Sequence, residues 1–240
     1  MNVKEFLETI NFNKLVLANA IICMIFNVSI LLFSKHGTVD GFIMCSIAIA
    51  NVLLVLINNR ISYLSYVVVA FIYSYISFSH ALYGEFLVNL MFVIPVQMVA
   101  FFKYEDGIPT ITELDVLPVA KTYYNLILVL VAFVTYGYAI LLDLLGDPQP
   151  LLDAMLSVIQ IFATFLMLKG KGIQWLLWVM TNLFALYLWS QVGHRYNLMM
   201  MWAFYFFNSV IGLVEYHISK TIEKKEIATL ITSTELSTTK

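Results

Sequence analysis

Charged residues make up only 12% of this 240-residue sequence, about half the share that soluble globular domains carry. So little charge cannot clothe a soluble surface, and a net charge of −2 leaves no basic patch suited to nucleic acid. Cysteine is almost missing. The two present, Cys23 and Cys45, sit in apolar runs without metal-ligand spacing; that excludes a disulfide framework and a thiolate metal site, and they read as buried apolar side chains. No glycine-rich phosphate loop, HExxH pair or catalytic serine motif occurs, so neither an enzyme nor a resident cofactor is indicated. A cleavable signal peptide is not evident either: the first thirteen residues are polar, and no small-residue cleavage site follows the first apolar run.

What fills the chain is apolar. Hydrophobic residues reach 61% and mean hydropathy is +0.88. Eight segments attain the roughly 20 residues that cross a bilayer, at 14–33, 40–58, 62–80, 85–103, 121–143, 150–168, 173–192 and 197–217. The expected fold is an all-α polytopic membrane protein with eight transmembrane helices. Of the connections only 104–120, "YEDGIPTITELDVLPVA", is long; acidic and with two prolines, it reads as a solvent-exposed joint. The stretch after Ser219, rich in Lys, Glu, Ser and Thr, reads as a disordered tail. Eight crossings place both termini and the even-numbered loops on one side, with eleven of the 13 basic residues; only Lys35 and Arg195 fall on the other. That asymmetry predicts cytoplasmic termini.

The sequence also repeats itself. A shift of 112 residues lays "RISYLSY" (60–66) on "GIQWLLW" (172–178), so that Tyr63 and Tyr66 match Trp175 and Trp178. The same shift lays Lys103-Tyr104 on Glu215-Tyr216, and a shift of 113 lays Asp40 on Asp153. Segments two to four then resemble six to eight, with segment five as connector and segment one as an addition. Matching segments lie four crossings apart, an even number, so the repeats run parallel, related by an axis along the membrane normal with a site between them. The expected divisions are 1–39 (an N-terminal cytoplasmic segment and the extra helix), 40–104 (first three-helix repeat), 105–149 (cytoplasmic loop and connector helix), 150–218 (second repeat) and 219–240 (cytoplasmic tail).

The candidate site begins with Trp175, Trp178, Asn182 and Trp189, whose spacings of three, four and seven share one helix face. Lipid rewards neither indole N–H groups nor a carboxamide, so this face should look inward. Trp175, near the cytoplasmic boundary, also fits an interfacial belt. At about 1.5 Å of rise per residue, Gln97, Gln160, Asn182, Asn208 and Asn51 reach similar depth on five helices. Carboxamides offer both donors and an acceptor to a neutral polar ligand surface. Asn51 and Gln160, taken alone, read more readily as helix-to-helix hydrogen bonds. No acidic, basic or His residue falls near mid-depth in any segment, which fits a passive transporter better than an ion-coupled pump.

The runs "WLLWVMTN" (175–182), "DAMLSVIQIFATFLMLKGKGIQ" (153–174) and "NLMFVIPVQMVAFFKY" (89–104) resemble the PnuC-type vitamin transporters over about 40–217. The resemblance implies a SWEET-like arrangement of three, one and three helices, a homotrimer, and uptake of nicotinamide riboside across the bacterial inner membrane. It supports Trp175, Trp178 and Asn182 as the tryptophan–asparagine motif, adds Asn89 to Gln97 as fourth-segment polar positions, and marks Asp153 as a recurring acid. The expected substrate-binding set is thus Gln97, Trp175, Trp178, Asn182, Asn89, Asn208 and Gln160. The expected function is facilitated diffusion, with net uptake driven by a cytoplasmic kinase that phosphorylates the vitamin. Thiamine or riboflavin facilitation, and a membrane receptor or assembly protein whose amides only join helices, are the alternatives.

Overall fold

The computed structural model describes residues 11–104, 121–192 and 195–238, with side chains for all of these but 121–128 and 219–238. Residues 1–10 and the acidic joint at 105–120 lie outside the described residues. Asn11 opens α1 (Phe12–Phe33) by accepting the Lys14 N–H at 3.1 Å, which satisfies one of the donors a helix start leaves free. Thr38 does the same for α2 (Val39–Leu56), accepting from Gly41 at 3.3 Å. A tight turn through Asn58, at φ 52°, leads to α3 (Ile61–Ser79); asparagine is among the few residues that enter this left-handed region readily. The fourth helix, α4 (Tyr83–Lys103), widens to a π turn at Asn89–Val93 just before Pro95. Proline brings no N–H and crowds the carbonyl four residues back, and the wider turn absorbs that misfit.

Then come α5 (Lys121–Leu144), α6 (Pro150–Leu168), α7 (Gln174–Val192) and α8 (Tyr196–Thr238). Proline suits the first residue of α6, where its missing N–H is not needed. The eight helices coincide with the eight expected segments to within a few residues, except that α8 stays helical to Thr238 where the sequence suggests a disordered tail. Six of the eight are long and apolar enough to cross a bilayer. The part of α5 with described side chains, Val129–Leu144, is shorter. The other exception, α7, is long enough but carries Gln174, Trp175, Thr181, Asn182, Trp189, Ser190 and Gln191, residues that depress hydropathy. The helix least suited to lipid is the one with the candidate site.

Packing is close along α2–α3–α4 and along α6–α7–α8. The two sets join where α4 meets α6 and α2 meets α8, while α5 lies on α6 and α1 lies against α2 and α8. Met44, Cys45, Leu188 and Phe204 are among the fully buried core. Asp153, fully buried on α6, accepts the Gly84 and Glu85 N–H groups at 2.7 Å each and so caps α4 from a neighbouring helix. The bundle has an odd end, where the α1–α2, α3–α4, α5–α6 and α7–α8 connections lie, and an even end with the others.

Candidate functional site

A cavity of ≈ 160 Å³ lies between the two helix sets. From α7 come Trp175, Trp178 and Asn182; α4 supplies Gln97 and α6 supplies Met167. The α2 contribution is Asn51, Val52 and Val55, and that of α3 is Ser62, Tyr63 and Tyr66. Trp202, Tyr205, Asn208 and Ser209 of α8 complete the wall. Three of the chain's four tryptophans therefore meet here, and no Asp, Glu, Lys, Arg or His is in the lining. Such a wall favours flat, polarisable rings and neutral hydrogen-bonding groups.

The amides are not equally available. Asn51 donates its side-chain N–H groups to Ser62 O and Ser65 Oγ on α3, as a helix-joining residue does. Asn182 donates to Ser209 Oγ at 2.8 Å, and Ser209 in turn to Tyr205 O at 2.8 Å, which fixes the orientation of the carboxamide. Asn208 donates to Phe204 O at 2.7 Å, leaving its Oδ1 without a partner among the described residues. Trp202 Nε1, Tyr205 Oη and Ser62 Oγ, also on the lining, are buried and unpartnered in the same sense. Buried polar atoms in this condition cost about 1–3 kcal/mol each unless something binds them, so the residues of this wall carry unmet hydrogen-bonding capacity.

Five of the seven expected residues, Gln97, Trp175, Trp178, Asn182 and Asn208, meet at the cavity. Asn89 and Gln160 are not in its lining. Asn89 donates to the Glu85 carbonyl at 2.8 Å and to Glu85 Oε2 at 3.3 Å, and Gln160 donates to Asn89 Oδ1 at 3.5 Å. They form a buried polar cluster nearer the odd end. Gln160 shares a helix face with Met167 of the lining, seven residues on, but sits about 10 Å away along the axis. Trp189 also lies beyond the cavity, donating to Tyr73 Oη at 2.9 Å. Trp202, Tyr205 and Ser209 are the α8 wall residues that sequence reasoning misses, as it does Val52, Val55, Ser62 and Met167. The three on α8 share a face by spacing, yet "WAFYFFNS" is aromatic on every side and shows no stripe.

A multi-pass helical membrane bundle enclosing an uncharged aromatic cavity with unpartnered polar atoms has the build of a small-molecule carrier. The family model described as "Nicotinamide mononucleotide transporter" matches residues 38–217, three quarters of the sequence and all of α2 to α7, and the chain belongs to that family. The nicotinamide riboside transporter PnuC of Neisseria mucosa is 31% identical over 191 residues, covering 74% of this chain and 72% of that protein. PnuC of Haemophilus influenzae is 22% identical over 181 residues, covering 73% and 79%. A crystal structure of the vitamin B3 transporter PnuC superposes with a TM-score of 0.64 at 23% identity, over 85% of this chain and 90% of that one. As in these relatives, the activity class is transport and not catalysis.

Proposed function

We propose that this protein carries nicotinamide riboside through the bacterial inner membrane by facilitated diffusion, and that a cytoplasmic kinase makes uptake net by phosphorylating the vitamin. The observation that carries this reading is the cavity wall: Trp175, Trp178 and Trp202 around a space with amides and no charge. Nicotinamide riboside combines a pyridinium cation, a carboxamide and ribose hydroxyls. Indole faces attract a desolvated cation by about 2 kcal/mol, while Gln97, Asn208 and Tyr205 offer partners to the amide and the sugar. The family is named for the mononucleotide, whose phosphate needs cations. None lines this cavity, and an unpaired phosphate in a dry site is heavily penalised. The riboside fits and the mononucleotide does not.

Alternating access needs two halves that rock about the site, and the proposed parallel repeats supply them. Tyr63 and Tyr66 face the cavity together with their counterparts Trp175 and Trp178, and the same shift of 112 pairs Val55 with Met167 and Gln97 with Ser209, all on the lining. The cross-packing of α4 on α6 and α2 on α8 supports the three-one-three reading, with α1 as an addition outside the family match. In a homotrimer, each protomer would keep its own cavity.

Titrating purified protein with nicotinamide riboside, nicotinamide mononucleotide, thiamine and riboflavin, read by tryptophan fluorescence, tests the assignment. Saturable quenching by the riboside alone is expected. A response only to thiamine or riboflavin would reassign the substrate, and none at all would favour a receptor or assembly protein. The even end, with the basic residues, should be cytoplasmic. Reporter fusions after residues 36 and 194 should then report the outside, and one after residue 110 the inside; an outside signal at 110 would overturn both the crossing count and the repeat orientation.

Gly212 offers a sharper check on one wall residue. A Cβ on this α8 glycine would meet Cδ2 and Cε3 of Trp175 at 2.7 Å, so Gly212→Ala must displace the indole at a cost of about 1–3 kcal/mol. The variant should stay folded and lose about tenfold in riboside affinity. Wild-type affinity in Gly212→Ala would remove Trp175 from the ligand contacts.

A further inference from the structure

Two stacked layers separate the cavity from the odd end. The inner layer is aromatic. Trp202, on the cavity wall, meets Tyr73 edge-on at 5.4 Å, and Tyr73 meets Trp189 at 5.9 Å and accepts its indole N–H at 2.9 Å. None of the three is more than 5% exposed. The outer layer is polar. His80 at the end of α3 lies edge-on to Trp189 at 5.4 Å, and Arg195 donates its Nε–H to His80 Nε2 at 3.2 Å. Arg195 also pairs through Nη1 with Asp40 in the first turn of α2. One guanidinium just ahead of α8 thus ties together the ends of α2, α3 and α8, which belong to both helix sets. Passage between the cavity and the odd end requires these contacts to part.

The hydrogen bonds fix the state of the imidazole. His80 Nδ1 lies 2.9 Å from the Ile76 carbonyl oxygen, which can only accept, so Nδ1 carries the proton. Ser79 Oγ, 3.0 Å from the same nitrogen, donates its own hydrogen to Ile76 O at 2.7 Å. Nε2 must then be bare, because its partner Arg195 can only donate. Adding a proton to Nε2 sets one N–H against another and places a second positive charge beside the guanidinium. Asp40 is already engaged by Arg195, so protonation leaves the trio with a net positive charge. Other titratable groups nearby are His36, whose ring centroid lies 5.0 Å from that of Tyr196, the residue after Arg195, and the buried Glu85 of α4, whose carboxyl faces the Tyr73 hydroxyl of the aromatic layer.

The geometry points to His80, Arg195 and Asp40 as a proton-sensitive latch on the odd-end gate, closed when His80 is neutral and released when it is protonated. Histidine is the side chain suited to such a role near neutral pH. Acidification at the odd end should speed entry of a substrate, and the riboside is a suitable probe because its pyridinium charge does not titrate. The use of this probe and the sidedness rest on the function proposed above.

Two readouts test the latch. In vesicles exposing the odd end outward, with internal pH held constant, lowering external pH from about 7.5 to about 5.5 should raise the initial rate of riboside entry several-fold. His80→Gln keeps an acceptor for Arg195 but cannot gain the charge, so its rate should stay at the neutral-pH value throughout. Arg195→Gln and Asp40→Asn should be fast already at neutral pH. Acrylamide quenching of tryptophan emission in purified protein gives a substrate-independent measure: it should rise on acidification in the wild type and not in His80→Gln. Failure of riboside to bind would overturn the substrate assignment while leaving the quenching test intact. A His80→Gln protein that keeps the wild-type pH response in quenching, or a wild type with none, would overturn the latch.

Discussion

Trp178→Ala is expected to weaken riboside binding by about 1–3 kcal/mol, combining the lost attraction between indole and cation with lost packing. That corresponds to roughly five- to more than hundred-fold in affinity. Trp178 lines the cavity one turn from Asn182, whose carboxamide is held by Ser209, so the indole and the amide present a fixed pair to the ligand. Trp178→Phe retains a ring face and should recover part of the loss. Isothermal titration of both variants, alongside a thermal-unfolding control, separates binding from folding. A Trp178→Ala protein that binds and transports like the wild type would reduce Trp178 to wall packing.

A different kind of loss is expected at Asp153. Its two carboxylate oxygens each accept a backbone N–H at 2.7 Å, from Gly84 and Glu85, and the residue is fully buried. Asp153→Ala leaves both donors unsatisfied at a helix start, and at about 1–3 kcal/mol for each buried orphan destabilisation of roughly 2–6 kcal/mol follows. Asp153→Asn keeps one acceptor oxygen and should lose about half as much. Gly84 belongs to the same joint: a Cβ there would meet the Asp153 carboxylate at 2.7 Å, so Gly84→Ala should destabilise by the same route. Thermal unfolding in detergent orders the series. An Asp153→Ala protein as stable as the wild type would show that the cap carries little energy.

The sequence makes the helices legible because long apolar runs are their own signal, and it makes Trp175, Trp178 and Asn182 legible because their spacing matches the helical period. Tyr63 and Tyr66, noted in the sequence only as counterparts of two tryptophans, prove to line the same cavity as those tryptophans. The α8 wall stays hidden because Phe204, Phe206 and Phe207 surround Tyr205 and blur any stripe. Gln160 illustrates the limit of reading depth from helical rise, which orders residues along one helix but does not register neighbouring helices against each other. The acids picked out by the repeat, Asp40 and Asp153, serve as cross-helix ties, one to Arg195 before α8 and the other to the start of α4. Composition gives no hint of this, because an acid near a helix start looks the same whether it meets water or a neighbouring helix.

The most direct test of the central claim is the endpoint of riboside uptake into sealed vesicles clamped at zero membrane potential, since the substrate is a cation. Among the described residues no acidic, basic or histidine side chain lines the cavity, and such side chains are where ion coupling is usually built, which supports the proposal of uncoupled transport. A proton-sensitive gate alters how quickly equilibrium is reached and not where it lies. The account predicts that internal riboside rises to the external concentration and stops there, with or without a proton or sodium gradient, and exceeds it only when a riboside kinase and ATP are sealed inside. Accumulation above the external concentration on an ion gradient alone would contradict it.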